Sequence, residues 1–361
     1  MSRTEPIDRT AARTVPEPHQ YRQRVGWLAA GATALFGSLA LVWTVTGHGY
    51  PFGAADPDGS GSLLWRVPAD VGAPVFAVLL LGAAVTALAM TGPHAVRLRG
   101  APRLGLLGYG WLVVAGLLLI VPDVQVLTYL GYLPMLIGGL PFGWPPVEYS
   151  ELFTLALGYK VFSVAAGLLL ARTILSWQFS TAGACGRCGR RPGDEGWTSA
   201  ASAAHWGRRA VWVAAVIPVL YAIVRLAWAA GIPLGVTDGF LRELHRTGLV
   251  WAGAGLAAFG LVGAVLTLGL VQRWGERFPR WMIGLAGRRV PITLAVVPAT
   301  GVAVAITAAG LALYGQPELL DELRDSTLMV VPMLLWPVWG VALGAATLGY
   351  HLRRRGACAR C

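Results

Sequence analysis

The chain has 361 residues, of which 55% are hydrophobic and only 13% are charged, and its mean hydropathy is +0.59. Soluble domains carry about 25% charged residues, so this composition indicates a protein that lies in a lipid bilayer. The net charge of +11 at pH 7 could suggest nucleic-acid binding. The basic residues gather in short segments between apolar runs, however, which makes the bilayer the expected partner and nucleic acid an unexpected one.

The chain begins with a polar segment, residues 1–24, which is rich in arginine and contains proline and is therefore predicted to be a disordered cytoplasmic tail. The apolar run after it is too long for the hydrophobic region of a signal peptide, so it is predicted to remain as an anchor. Eight apolar runs are long enough to cross a bilayer, which takes about 20 helical residues. They are predicted at 25–47, 69–91, 104–121, 151–175, 210–231, 247–272, 291–313 and 327–350.

The arginines indicate how these runs are oriented. With the N-terminus in the cytoplasm, most arginines fall in the inner segments and most acidic residues in the outer ones, as the positive-inside rule requires. We therefore expect a multi-pass protein of the plasma membrane with both termini in the cytoplasm.

An internal repeat is predicted from features that return in the second half. The spacing of two tryptophans recurs unchanged, at Trp27 and Trp43 and again at Trp212 and Trp228. We therefore predict an all-α integral membrane protein with about eight transmembrane helices in two tandem-duplicated four-helix halves, residues 25–188 and 209–361. A cytoplasmic linker, residues 189–208, joins them. Because four is an even number, both halves enter the membrane from the same side and form a parallel repeat.

One stretch, residues 122–150, has no counterpart in the second half. A single helix from 104 to 139 would be about 54 Å long, which is too long for one crossing. Pro122 and Asp123 predict a break in that helix. Non-helical backbone at this depth requires protein or water around it, so this is where a cavity is expected.

The cysteines of the chain form two Cys-x-x-Cys pairs: Cys185 with Cys188, and Cys358 with Cys361. A parallel two-fold axis would place the pairs opposite each other, and four thiolates suit tetrahedral zinc. We therefore expect one structural zinc ion that clamps the two halves together. Two alternatives remain open, namely free thiols in a reducing cytosol and a redox pair, since Cys-x-x-Cys can lower a thiol pKa.

Charges within the apolar runs are the other candidate site. Lys160, the only lysine of the chain, lies inside the fourth run, where a charge is costly and marks a functional site. Asp123, at the outer end of the third run, is its predicted partner, and Arg225 lies near the outer end of the fifth. The alternative is that these basic side chains extend to the headgroups. The repeat has Pro337 and Ala40 at the corresponding positions, as expected if a substrate site breaks the symmetry of a duplicated scaffold.

Several stretches resemble a known group of sequences: Pro233-Leu234-Gly235, Leu266 to Glu276, Phe278 to Trp281 and Gly287 to Pro291. They are similar to multi-pass membrane proteins of GC-rich Gram-positive bacteria to which no activity is assigned. The resemblance implies a membrane location over most of the chain. It implies no activity and no functional residue.

Motifs for catalysis are missing from the sequence. It contains no Walker-type loop, dinucleotide fingerprint, zinc-protease or serine-hydrolase motif, and no polar segment long enough for a catalytic domain, so an enzyme is not favoured. Three functions remain. The first is a permease-like transporter of a small solute or lipid, with its site between the halves near Lys160 and Asp123. The second is a membrane-embedded metal or redox sensor, or an assembly factor, that uses the cysteines. The third is a scaffold subunit for an unidentified protein partner.

Overall fold

The computed structural model describes residues 18–56, 59–92, 95–139, 141, 154–185, 189, 196–316, 319 and 327–355. Within these ranges the chain is helical, and the β-structure there is a single isolated bridge between Arg277 and Arg289. The helices are α1 (Pro18–Thr46), α2 (Ala69–Thr91), α3 (Ala101–Ala115), α4 (Val124–Gly139), α5 (Leu155–Thr181), α6 (Ala200–Ala229), α7 (Asp238–Thr247), α8 (Leu249–Gly269), α9 (Ile292–Tyr314), α10 (Thr327–Leu334) and α11 (Trp336–Arg354).

In the part of the chain that the structure describes, seven helices are long and apolar enough to cross a membrane: α1, α2, α3 with its π-helical extension, α5, α6, α8 and α9. The prediction of a polytopic, all-helical membrane protein is thereby confirmed. The eighth predicted run, 327–350, is divided at Leu335 into α10 and α11, with Pro332 inside α10 and Pro337 in the first turn of α11. The count of eight is therefore not confirmed.

Two helices begin earlier than predicted. The first, α1, starts at Pro18, inside the tail 1–24 that composition predicted to be disordered, because glutamine and arginine propagate a helix beyond its apolar part. The other, α6, starts at Ala200, inside the predicted linker 189–208. There the Ser199 hydroxyl accepts a hydrogen bond of 3.2 Å from a backbone N–H of the first turn and caps the helix.

The two halves share their main helix pairings, although α2 also packs against α3 and α5, whereas its counterpart α8 makes no comparable contact with α9 or α11 among the described residues. In the first half α1 packs against α2 and α5, and α5 also packs against α3. In the second half α6 packs against α8 and α11, and α11 also packs against α9. In each half, the first long helix therefore packs against the second long helix and against the last one. The third long helix also packs against the last one.

The short helix α4 connects the halves. The predicted break before it is confirmed, because the π-helical extension of α3 ends at Ile120 and the chain becomes helical again at Val124. Val124 packs into an apolar cluster that contains Ile306 of α9. About two turns further on, Gly131 faces Leu256 of α8, where a Cβ on the glycine would lie 2.9 Å from the leucine side chain. Helix α4 therefore lies across the second half while its first residues remain joined to the first half.

Candidate functional site

A lysine inside the protein is the centre of the site. Lys160 has no exposed surface. Its Nζ lies 2.6 Å from Asp56 Oδ2 and 2.6 Å from Asp123 Oδ2. It also donates a hydrogen bond of 2.9 Å to Gln125 Oε1. The ammonium group therefore contacts two carboxylate oxygens and one amide oxygen. We refer to Lys160, Asp56, Asp123 and Gln125 as the Lys160 cluster.

Three separate segments build this cluster. Asp56 follows a short 3-10 turn, Gly53–Ala55, in the connection between α1 and α2. Asp123 lies in the break before α4, and its Oδ1 accepts a hydrogen bond of 3.0 Å from the backbone N–H of Gln125. This bond organises the first turn of α4 around the aspartate, as an Asx-type turn does. Lys160 itself projects from α5, so one ammonium joins three parts of the first half.

A π-helical turn, Gly116–Ile120, lies beside the cluster at the end of α3. The hydroxyl oxygen of Ser163, one turn beyond Lys160 on α5, is 3.1 Å from the carbonyl oxygen of Leu117 and 2.7 Å from that of Lys160. Ser163 therefore packs α5 against the turn whose backbone hydrogen bonds depart from the α pattern. Such turns are frequent at functional sites.

Within the described residues, the charges of the cluster do not balance. Two buried carboxylates contact one ammonium group there, and an excess charge in an apolar interior is costly. Asp123 lies in the connection after the candidate span Ala101–Ile120. Burial raises the pKa of its carboxyl above the ordinary value of 3.8, the nearby Lys160 ammonium opposes this rise, and the charge of Asp56 adds to it. The cluster is therefore suited to hold an extra proton.

A group of packed aromatic side chains includes two residues that shortly precede Asp56 in the chain. The rings of Tyr50 and Phe52 are 5.5 Å apart, and Phe52 stacks on Phe76 at 5.4 Å. Burial also raises the pKa of Tyr50 to about 12. Gly72 lies against this phenol, since a Cβ on the glycine would lie only 2.2 Å from the hydroxyl oxygen of Tyr50. The chain segment that leads to Asp56 is therefore tightly packed, and Asp56 itself is buried.

The structure brings together some of the predicted residues and not others. Lys160 and Asp123 are in contact, as predicted. Arg225 instead lies over the rings of Trp228, at 4.6 Å, and Tyr221, at 5.2 Å, all on α6. These distances indicate cation–π contacts that hold the guanidinium at the end of its helix.

Two members of the cluster, Asp56 and Gln125, were not singled out from the sequence. Asp56 resembles the other acidic residues of the loops on its side of the membrane, and a glutamine in an apolar stretch gives no signal of its own. The sequence feature that could have indicated them was the single lysine, because a buried ammonium group requires oxygen atoms of other residues as partners.

The cysteine site is described only in part. Cys185 is disulfide-bonded. Cys188, Cys358 and Cys361 lie outside the described residues. A sulfur in a disulfide is not a thiolate and does not bind zinc in that state. Among the described residues, no group of three or more His, Cys, Asp or Glu residues could hold a metal ion. The four-cysteine zinc site therefore stays a prediction.

Comparison with known proteins leaves the site to be interpreted from its own geometry. No protein-family model matches the chain, and no curated protein or solved structure is detectably similar to it. The fold and the site together define the class, which is a polytopic, all-helical membrane protein with a buried lysine–carboxylate cluster.

Proposed function

We propose that this protein is a permease-like transporter of a small solute, in which Lys160, Asp56 and Asp123 form a proton-binding centre. The observation that carries the proposal is the burial of two carboxylates against one ammonium. Burial favours a bound proton as long as the carboxylates stay in the interior, and exposure to water releases it. Proton binding and the conformation of the cluster are therefore linked.

The position of the cluster supports a role in movement. Asp123 and Gln125 stand at the start of α4, and α4 packs against α9 of the other half. A change in the bond between Lys160 and Asp123 is therefore transmitted to the contact between the halves. Broken helices at the junction of two halves are a common place for substrate and ion sites in transporters.

The proposal includes the arrangement in the membrane. We infer that the halves, residues 25–188 and 209–361, arose by duplication, which the shared helix pairings support. On this view α10 and α11 together make the eighth crossing. The arginine distribution supports a plasma-membrane location with both termini in the cytoplasm.

Accessibility of the centre tests this function. In a variant without the native cysteines, Ser163→Cys places a thiol one turn from Lys160 on α5, against the backbone carbonyls of Lys160 and Leu117. A transporter exposes the centre to water during its cycle, so a membrane-impermeant thiol reagent should label this cysteine in right-side-out or inside-out vesicles, at a rate that changes with pH. A fixed scaffold predicts no labelling from either side at any pH, and that result would reject the proposal.

The disulfide of Cys185 favours a second candidate function, a redox sensor. Stable disulfides are rare in the cytosol, so on the cytoplasmic face this bond would form and break with the redox state. Zinc bound by the four reduced cysteines would be the alternative state. The test compares two forms of Ser163→Cys, one with the four native cysteines and one with serine at those four positions. Oxidation should change the labelling rate of position 163 only in the form that keeps the native cysteines. No difference would leave the cysteines without a sensing role.

A further inference from the structure

An apolar cavity of about 510 Å³ lies in the second half between α8, α9 and α11. Its volume falls in the range of about 300–1,000 Å³ that is typical of small-molecule sites. The cavity exists because α8 packs mainly on α6 whereas α9 packs on α11, so these two neighbours in the chain are held apart. Prominent lining residues are Trp274, Phe278, Met282, Leu294, Val302 and Trp339.

The connection from α8 to α9, residues 270–291, closes one end of the cavity and is firmly attached. The hydroxyl of Tyr350 donates a hydrogen bond of 2.8 Å to the carbonyl oxygen of Gly275, and the Arg353 guanidinium donates one of 2.8 Å to that of Leu270. Both donors belong to α11. The cavity therefore has a fixed wall instead of a loose loop.

This connection carries a concentrated positive charge. Five exposed arginines belong to it: Arg273, Arg277, Arg280, Arg288 and Arg289. In the part of the chain that the structure describes, none of them pairs with a carboxylate, since the one acid of the segment, Glu276, lies 2.6 Å from Arg353 of α11. The antiparallel bridge also sets Arg277 directly opposite Arg289. Like charges in such a pair repel, and an anion between them would relieve the repulsion.

The same connection presents apolar side chains to its surroundings. Trp281 is 78% exposed and Ile283 is 98% exposed. Tryptophan and aliphatic residues beside arginines are typical of segments that lie at the level of the lipid headgroups. This composition is the one expected of a segment at the boundary between hydrocarbon and water, and the same segment lines the cavity.

We propose that this cavity binds an acyl chain of an anionic phospholipid whose phosphate is held by the arginines of the connection. The apolar wall accepts the chain, and guanidinium groups bind phosphate oxygens in pairs. A soluble anion has no apolar part that could fill the cavity. A zwitterionic lipid has no net negative charge to balance the positive charge of the arginines. The proposal stands on the second half alone and does not depend on transport through the Lys160 cluster.

Native mass spectrometry of the full chain in detergent tests the proposal, with phosphatidylglycerol and phosphatidylcholine as the two probes. The protein should bind phosphatidylglycerol more tightly. Each basic residue near an anionic surface contributes about fivefold, so the double variant Arg277→Gln/Arg289→Gln should lose about 25-fold of that preference. A filled cavity, Ala299→Phe, should weaken the binding of both lipids.

A matched control separates a site from general attraction. Arg97 and Arg99 are exposed in the connection between α2 and α3 of the first half. The variant Arg97→Gln/Arg99→Gln removes the same charge and should keep the preference. An equal loss in this control, or undiminished binding in a folded Ala299→Phe protein, would overturn the proposal. If Ala299→Phe does not fold, the proposal is tested by the two double arginine variants alone, through their preference for phosphatidylglycerol.

Discussion

Lys160 Nζ and Asp123 Oδ2 lie 2.6 Å apart in the interior of the bundle, and this contact ties the fourth long helix of the first half to the residue that precedes α4. Since α4 packs across the second half, the ion pair connects the two halves through a single short helix. A charge at this depth is costly, and this contact supplies it with a partner of opposite sign.

Replacing the lysine should destabilise the protein strongly. In Lys160→Met two buried carboxylates lose their counter-charge, and breaking a buried ion pair in this way costs about 3–5 kcal/mol. Thermal unfolding in detergent at neutral pH should therefore show a large loss of stability. The variant Asp56→Asn should be milder, because it leaves one carboxylate for one ammonium.

The exposed pair of Arg246 and Glu243 on α7 provides the control for this comparison, since its atoms are also 2.6 Å apart but in solvent. Arg246→Gln should leave the unfolding temperature unchanged, because surface pairs contribute little. If Lys160→Met were as stable as the wild type, the buried carboxylates would not need the positive charge of the lysine, and this prediction would be wrong.

Close packing of α9 and α11 should depend on one glycine. A Cβ at Gly340 would lie 2.7 Å from the carbonyl oxygen of Ala303 and 2.8 Å from the backbone nitrogen of Thr307, so the backbones themselves would have to move. Gly340→Ala should therefore cost about 1–3 kcal/mol of stability. Gly344→Ala, one turn along, meets its nearest atom at 3.9 Å and should be tolerated. Equal effects of the two substitutions in unfolding measurements would contradict this packing.

The cysteines give a prediction that separates the disulfide from the zinc site. Protein purified without reductant should show fewer than four titratable thiols, because Cys185 is disulfide-bonded. Reduced protein purified with zinc present should contain about one zinc ion per chain if the four-cysteine site forms. Elemental analysis and thiol titration on the same samples measure both. Reduced protein with four free thiols and no zinc would rule out the metal site.

Orientation in the membrane is tested by labelling in intact cells. In a cysteine-free variant, Ser60→Cys lies in the connection between α1 and α2, and Ala200→Cys at the start of α6. If the arginine-rich segments face the cytoplasm, an impermeant reagent should label position 60 and leave position 200 unlabelled. The reverse pattern would invert the topology.

The membrane class and most of the long helices could be predicted from the sequence, because a span needs a long apolar run and little else. The break at Pro122 and Asp123 was predictable for the same local reason, since proline and an acid interrupt an apolar helix. The division of the last run at Leu335 was not, because Pro332 and Pro337 are also found inside unbroken membrane helices, where tertiary contacts decide their effect.

The candidate site was predictable only through its lysine. A single ammonium in a span requires partners, and Asp123 was within reach along the chain. Asp56 and Gln125 join it through the tertiary fold, which brings a loop between α1 and α2 onto α5. Arg225 was grouped with the site because of its depth, but depth does not give the direction of a side chain, and its guanidinium lies over Trp228 instead.

Infrared spectroscopy of the reconstituted protein over a range of pH measures the protonation of the Lys160 cluster, on which the proposed proton-binding centre depends. The folded-state pKa of Asp123 is raised above 3.8, so the bound proton stabilises the fold at low pH and this contribution declines as the pH rises through the folded pKa. Such a proton-binding centre requires a buried carboxylic acid that persists above pH 3.8, is lost at higher pH, and is missing from both Asp56→Asn and Asp123→Asn. A wild-type protein whose carboxyl groups all titrate at ordinary values, or a band that survives in both variants, would contradict it.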